Sequence, residues 1–219
     1  AYSDQPYSLS IQATPLNVRS CTWEENYPGR LRRTDIYTGA SVTPATPPLT
    51  LILYNPTRLA YTYGVTATTP LTKALHSLAD APNVRGILYP VETHATIAEL
   101  YAAWNANYCT VHSANQLAQA IREDIIAPYL YSEPGINYIV VVGDDAQIPF
   151  YRQRDFARIA NEREFGRIGY AEAAIGAATR LGFYLTDDAY GTPAGAELGW
   201  RGQYFWRPRK AIGRLVESP

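Results

Sequence analysis

Two pairs of adjacent carboxylates, Asp144-Asp145 and Asp187-Asp188, are the residues of this 219-residue chain whose type and spacing best suit chemistry. Each pair follows a short apolar run: Tyr138-Ile-Val-Val-Val142 before Gly143, and Gly182-Phe-Tyr-Leu185 before Thr186. Ligands in open α/β sheets gather outside the carboxyl ends of the strands, which is where such turns belong. If both turns lie at the edge of one sheet, four carboxylates converge. Like charges that close repel unless a cation sits between them, and hard oxygen ligands of this kind suit Ca²⁺. Arg152, Arg154 and Arg158 would equally neutralise them. In the other reading Asp144 and Asp187 each cap their own turn, accepting hydrogen bonds from backbone N–H groups. Turn capping is the better reading, and Asp144, Asp145, Asp187 and Asp188 stand as candidate metal ligands beside it.

Other chemistry is thinly represented. Cys109 and His112 are spaced Cys-x-x-His, but a cysteine nucleophile needs its thiolate held by a nearby imidazolium, a geometry that one short segment rarely provides. A partly buried thiol near a helix start is the better reading. Zinc would need four ligands, and no second Cys/His pair exists; His76 and His94 stand alone. No glycine-rich phosphate cradle or Walker sequence occurs. Cys21 and Cys109 are the only cysteines, and either a disulfide between them or two free thiols fits the sequence.

The elements that must position these residues alternate in type. Residues 1–48 read as a β-rich appendage with strand-like alternation, closed by the proline-rich joint Thr43-Pro-Ala-Thr-Pro-Pro48. From residue 49 an α/β pattern begins. Leu49-Thr-Leu-Ile-Leu-Tyr54 is a buried strand closed by Asn55-Pro56, and Leu71, Ala74, Leu75 and Leu78 mark a helix. Gly86-Ile-Leu-Tyr-Pro90 is a second strand. Ile97, Leu100, Tyr101 and Trp104 form a helical stripe, and Ser113 caps a further helix carrying Leu117, Ala120, Ile121 and Ile125. The Glu133-Pro-Gly135 turn then delivers the chain into the strand at 138–142. Strands alternating with helices imply parallel pairing through right-handed crossovers, in the order second, first, third. The expected fold is a three-layer α/β sandwich with a mainly parallel sheet, of caspase- or flavodoxin-like start. Beyond residue 150, a charged stretch leads to an alanine-rich helix at 170–178, a strand at 182–186 and an aromatic segment at 200–206. Those aromatics either pack a hairpin against the core or form a contact surface.

Bulk properties exclude several classes. A net charge of −1 gives no reason to expect a nucleic acid partner. No apolar run approaches the ~20 residues of a membrane-spanning helix. Hydrophobic residues make up 47% and charged residues 18%, enough apolar material for a real core. The chain starts at Ala1 and contains no Met, which reads as an excised or processed piece.

Three segments taken together resemble one family. They are Tyr138-Ile-Val-Val-Val-Gly-Asp-Asp-Ala-Gln-Ile-Pro149, Thr186-Asp-Asp-Ala-Tyr-Gly191 and Ala211-Ile-Gly-Arg-Leu-Val-Glu-Ser218. In order and rough spacing they are similar to the gingipain-like, caspase-fold cysteine peptidases, with a longer insert between Phe150 and Phe183. The resemblance covers residues 49–218 and implies an N-terminal, non-catalytic subdomain. In that family the catalytic His and Cys lie downstream of the Ile-Gly-Arg strand, so no catalytic residue is assigned here. It further implies that the partner of this piece is the remainder of its own polypeptide, acting on protein or peptide substrates, at a secreted or cell-surface location. The alternative is a binding or structural module of a secreted or surface protein that uses the fold without catalysis.

Overall fold

A computed structural model of the chain describes residues 47–165, 174–198 and 204–216. The expected appendage therefore lies, apart from its last two residues, outside the described residues. The centre is a four-stranded, all-parallel sheet of β1 (Thr50–Tyr54), β2 (Gly86–Pro90), β3 (Tyr138–Val142) and β8 (Ala211–Leu215), in the order β2-β1-β3-β8. The expected 2-1-3 order holds, and β8 extends it. Register is direct, with Ile52 beside Leu88 on one side and Val140 on the other, and Val140 beside Gly213.

Helices cover both faces. Leaving β1, the chain forms α1 (Pro56–Tyr63) and α2 (Val65–Asp80). Their Leu59, Leu75 and Ala79 pack with Ile52, Tyr54, Leu88 and Val142 on one side of the sheet. The opposite face receives α3 (Ala95–Ala106) and a long helical run made of α4 (Val111–Ala120), a π-helical turn at Ile121–Ile126 and α5 (Ala127–Ser132). There Leu51, Leu53, Ile139 and Val141 meet Ile97, Trp104, Leu117, Ile121 and Ile125. Odd and even residues of each central strand thus serve different helical layers, which explains why these strands read as apolar runs.

Three local outcomes differ from the sequence reading. Asn55-Pro56 does not merely end β1: Asn55 caps α1 through Oδ1, which accepts from Arg58 N at 2.9 Å, and Pro56 sits in the first turn, where no N–H is needed. Thr110, not Ser113, caps α4, and its hydroxyl accepts from Ser113 N. The π turn precedes Pro128, which has no N–H to continue the i→i−4 ladder; Ala127 N instead reaches Arg122 O.

The connection from β3 to β8 carries a second motif. The strand β4 (Tyr151–Arg154) pairs antiparallel with β5 (Phe183–Thr186), flanked by α6 (Glu162–Phe165) and α7 (Ala174–Arg180). A two-residue ribbon of β6 (Glu197–Leu198) and β7 (Tyr204–Phe205) follows. Trp206 closes on the body of the protein: its ring meets Tyr151 edge-on at 4.9 Å, and the Arg122 guanidinium lies 5.2 Å above it. At Trp206 the aromatic segment therefore packs inward; residues 199–203 lie outside the described residues. Among the described residues no helix is long and apolar enough to cross a membrane.

Candidate functional site

The carboxyl edge of the parallel sheet gathers all three segments singled out in the sequence. At its centre is the turn after β3. Gly143 leaves the strand at φ +103°, a region that L side chains rarely adopt. A Cβ there would lie 2.7 Å from Gln147 Cβ. The space is needed because Gln147 folds back under the turn. Its Oε1 accepts from Asp144 N at 2.9 Å, and its Nε2 donates to Thr62 Oγ1 at 2.8 Å, tying β3 to α1. Gly143→Ala is expected to cost about 2–3 kcal/mol by combining a strained backbone with that clash. Urea unfolding checks this; a loss below about 0.5 kcal/mol would show that the turn relaxes freely.

The four aspartates do not assemble a metal site. Among the described residues no three His, Cys, Asp or Glu side chains stand close enough to hold an ion. The turns do meet, but the cation between them is a side chain. Arg214, from the Ile-Gly-Arg segment on β8, grips Asp187 in a two-pronged pair, Nε to Oδ2 at 2.8 Å and Nη2 to Oδ1 at 2.5 Å. Its Nη1 donates to the carbonyls of Gly143, Asp144 and Ile148 at 3.1, 3.2 and 2.7 Å. Its guanidinium also lies 3.8 Å from the centre of the Phe150 ring. Burial opposes the Arg214 charge, but the Asp187 carboxylate outweighs it and holds the guanidinium pKa above its ordinary value.

Asp145 has a separate cation. It is 3% exposed and accepts from Arg152 through both oxygens, each at 2.7 Å, and from Phe150 N at 2.9 Å. Asn115 of α4 clips the backbone of the same arginine, its Oδ1 accepting from Arg152 N and its Nδ2 donating to Arg152 O. Of the three arginines named from sequence, Arg152 thus fills the neutralising role. Arg154 instead lies over the Phe183 ring, at 5.6 Å. Asp188 stands outside both clamps; its N–H donates to Thr186 Oγ1 at 3.1 Å. Tyr190, fully buried, donates its hydroxyl to Pro149 O and so ties the second segment to the first.

Asp144 is the turn cap that the sequence allowed, its Oδ1 accepting from Ala146 N at 2.7 Å. Burial raises its pKa above the ordinary 3.8, against the lowering effect of the Ala146 N–H and with a further rise from Asp145. The sign follows from that direction. Stability contributed by the protonated carboxyl is complete below the unfolded value and is lost as pH rises through the higher folded value. Asp144→Asn keeps the acceptor and removes the charge. The variant is therefore expected to be more stable than the parent at pH 7, with the advantage shrinking toward pH 4. Parallel urea titrations at the two pH values check this; an advantage that grows on acidification contradicts it.

A cavity of about 310 Å³ opens beside these turns between α1 and α3, lined by Asn55, Thr57, Arg58, Glu92, Tyr101 and Asn105. Arg58 is buried and engaged: Nε donates to Ala146 O and Nη1 to Asn105 Oδ1, with the rings of Tyr101 and Trp104 about it at 5.0 and 4.9 Å. Glu92 Oε1 accepts from Thr57 Oγ1 at 3.1 Å. Sequence reasoning missed this cluster: Asn55-Pro56, which leads into it, reads as the end of a strand and hides the start of α1.

Cys109 is disulfide-bonded, so it carries no thiolate and the Cys109–His112 pairing has no nucleophile. His76 lies on α2, His94 immediately before α3 and His112 in the first turn of α4. What this edge does chemically is neutralise buried carboxylates with arginines and hold three chain segments in fixed register. No family model, curated protein or solved structure matches the chain.

Proposed function

We propose that residues 49–218 are the N-terminal scaffold subdomain of a gingipain-like cysteine peptidase, with the catalytic His and Cys carried by polypeptide outside this sequence. The observation that supports this reading is the meeting of the three family-like segments around Arg214. The Ile-Gly-Arg arginine holds the aspartate of Thr-Asp-Asp-Ala-Tyr-Gly and the carbonyls of the Gly-Asp-Asp-Ala-Gln-Ile-Pro turn. An ordered set of short motifs gains weight when its members share one physical task. Under this reading the piece positions the other half and cleaves nothing by itself. Disulfide-bonded Cys109 is in keeping with an exported protein, since such bonds persist in oxidising compartments.

The test is to read the coding sequence past residue 219 and assay both lengths of protein on an unstructured polypeptide substrate. The longer protein is expected to carry a Gly-His and then a Cys after an apolar strand, and to cleave in an iodoacetamide-sensitive way. The 219-residue chain is expected to be inert. Absence of the dyad downstream, or thiol-dependent cleavage by the short chain, overturns the proposal. A second reading, a non-catalytic binding module, is favoured by the cavity between α1 and α3, which lies near the carboxyl ends of β1 and β2 where α/β folds bind ligands.

A further inference from the structure

The insert between β3 and β8 carries a polar cavity that shares no lining residue with the one between α1 and α3. Its volume is about 300 Å³, and it is lined by Arg154, Asp155, Asn161, Arg163, Glu164 and Gly182, all of them described residues. Arg154 ends β4, and the loop after it returns Arg163 of α6 to the same cavity.

The loop is locked from within. Asp155 accepts from Ala157 N through Oδ1 and from Glu162 N through Oδ2, each at 2.8 Å. Asn161 accepts from Arg163 N at 3.0 Å through Oδ1, and its Nδ2 donates to the carbonyls of Asp155 and Ala157 at 3.3 and 3.1 Å. Asp155 N donates to Gly182 O at 2.8 Å and so joins the loop to the turn before β5. Gly182 takes φ +79° there, and a Cβ built on it would lie 3.7 Å from Arg163 Nη2. The Arg163 head group therefore lies against the Gly182 backbone. That of Arg154 lies over the Phe183 ring, at 5.6 Å.

Charge decides what this cavity suits. Other arginines of the protein are held by internal carboxylates, Arg152 by Asp145 and Arg214 by Asp187. Among the described residues, Arg154 and Arg163 form no ion pair and donate no side-chain hydrogen bond. Of the two acids on the wall, Asp155 has both oxygens occupied by backbone N–H groups, and Glu164 is exposed. A guanidinium is a planar fork of donors with no acceptor, shaped for oxygen anions. One carboxylate satisfies one such fork, whereas a tetrahedral phosphate or sulfate has oxygens enough to meet both.

We propose that this cavity binds a doubly charged oxyanion, the phosphate or sulfate group of a small molecule, held between Arg154 and Arg163. Asp155 and Asn161 are positioning residues that fix the loop, and Glu164 weakens the site by repulsion. The site uses no part of the scaffold reading and stands or falls apart from it.

Titrating the 219-residue chain with inorganic phosphate at constant ionic strength, followed by thermal unfolding and phosphorus NMR line broadening, tests the proposal. Saturable binding is expected, with a Kd on the order of 1 mM. Sulfate is expected to compete, and acetate to bind about tenfold more weakly. Arg154→Gln and Arg163→Gln, both at exposed positions, are each expected to weaken phosphate binding about tenfold. Glu164→Gln is expected to tighten it about threefold. Where one arginine variant fails to fold by far-UV circular dichroism, the other and Glu164→Gln decide. The absence of a saturable response, equal binding of acetate, or arginine variants that bind phosphate as the parent does would each overturn the proposal.

Discussion

Replacing Arg214 with alanine is expected to cost about 4 kcal/mol of folding stability, within the range measured for breaking a buried ion pair from one side. The Arg214 and Asp187 side chains are 5% and 14% exposed, so the aspartate left behind is poorly reached by water. Three carbonyls, of Gly143, Asp144 and Ile148, lose a donor at the same time. Domains of this size are stable by only about 5–15 kcal/mol, so the variant stands near its unfolding limit at room temperature. Arg214→Lys is expected to rescue little. A single ammonium cannot reproduce a planar fork that pairs with a carboxylate on one edge, bonds carbonyls on the other and lies over the Phe150 ring. Urea unfolding followed by far-UV circular dichroism measures both variants; a loss under about 1 kcal/mol for alanine would mean the clamp is incidental.

The second large effect belongs to Asp145 and Arg152, whose side chains are 4% and 1% exposed. Asp145→Ala and Arg152→Ala are each expected to cost about 3–5 kcal/mol, because each leaves an uncompensated charge in the interior. Replacing both together, as Asp145→Leu with Arg152→Met, is expected to recover most of that loss, since buried pairs exchanged for apolar groups of similar size are often neutral. Recovery would show that this pair specifies where β4 docks more than it stabilises the whole. The local readout is amide exchange at β4 and β5, which should accelerate in the single variants and return in the double. A double variant no better than either single would show that the backbone hydrogen bond from Phe150 to Asp145 dominates instead.

Much of the central sheet was legible because of how parallel sheets are buried. β1 and β3 touch a helical layer on each face, so their residues are apolar without alternation, and such runs stand out. The strand β4 did not stand out for the opposite reason. Its inward-facing residue is Arg152, so no apolar alternation marks it, and the stretch reads as a charge cluster until Asp145 is seen to neutralise it. Helix α1 hid behind Asn55-Pro56, which signals both the end of a strand and the start of a helix. The site was legible in composition but not in pairing. Asp144, Asp145, Asp187 and Asp188 were the right residues to question, and turn capping was correctly weighed for Asp144. Which cation met which carboxylate depended on a partner 27 residues away in one case and 7 in the other. Periodicity carries no information about such pairings. Arg214 passed as part of a family-like motif, although it organises the whole edge.

The central claim is that these carboxylates hold a scaffold together through arginines, with Arg214 as the resident cation between the two turns. A double-mutant cycle on Arg214→Met and Asp187→Leu, measured by urea unfolding, tests it most directly. The predicted result is a coupling free energy of about 2 kcal/mol or more between the two positions, with the double variant far more stable than the sum of the singles requires. Independent, additive losses, with a coupling below about 0.5 kcal/mol, would contradict the account and return the four aspartates to the search for another cation.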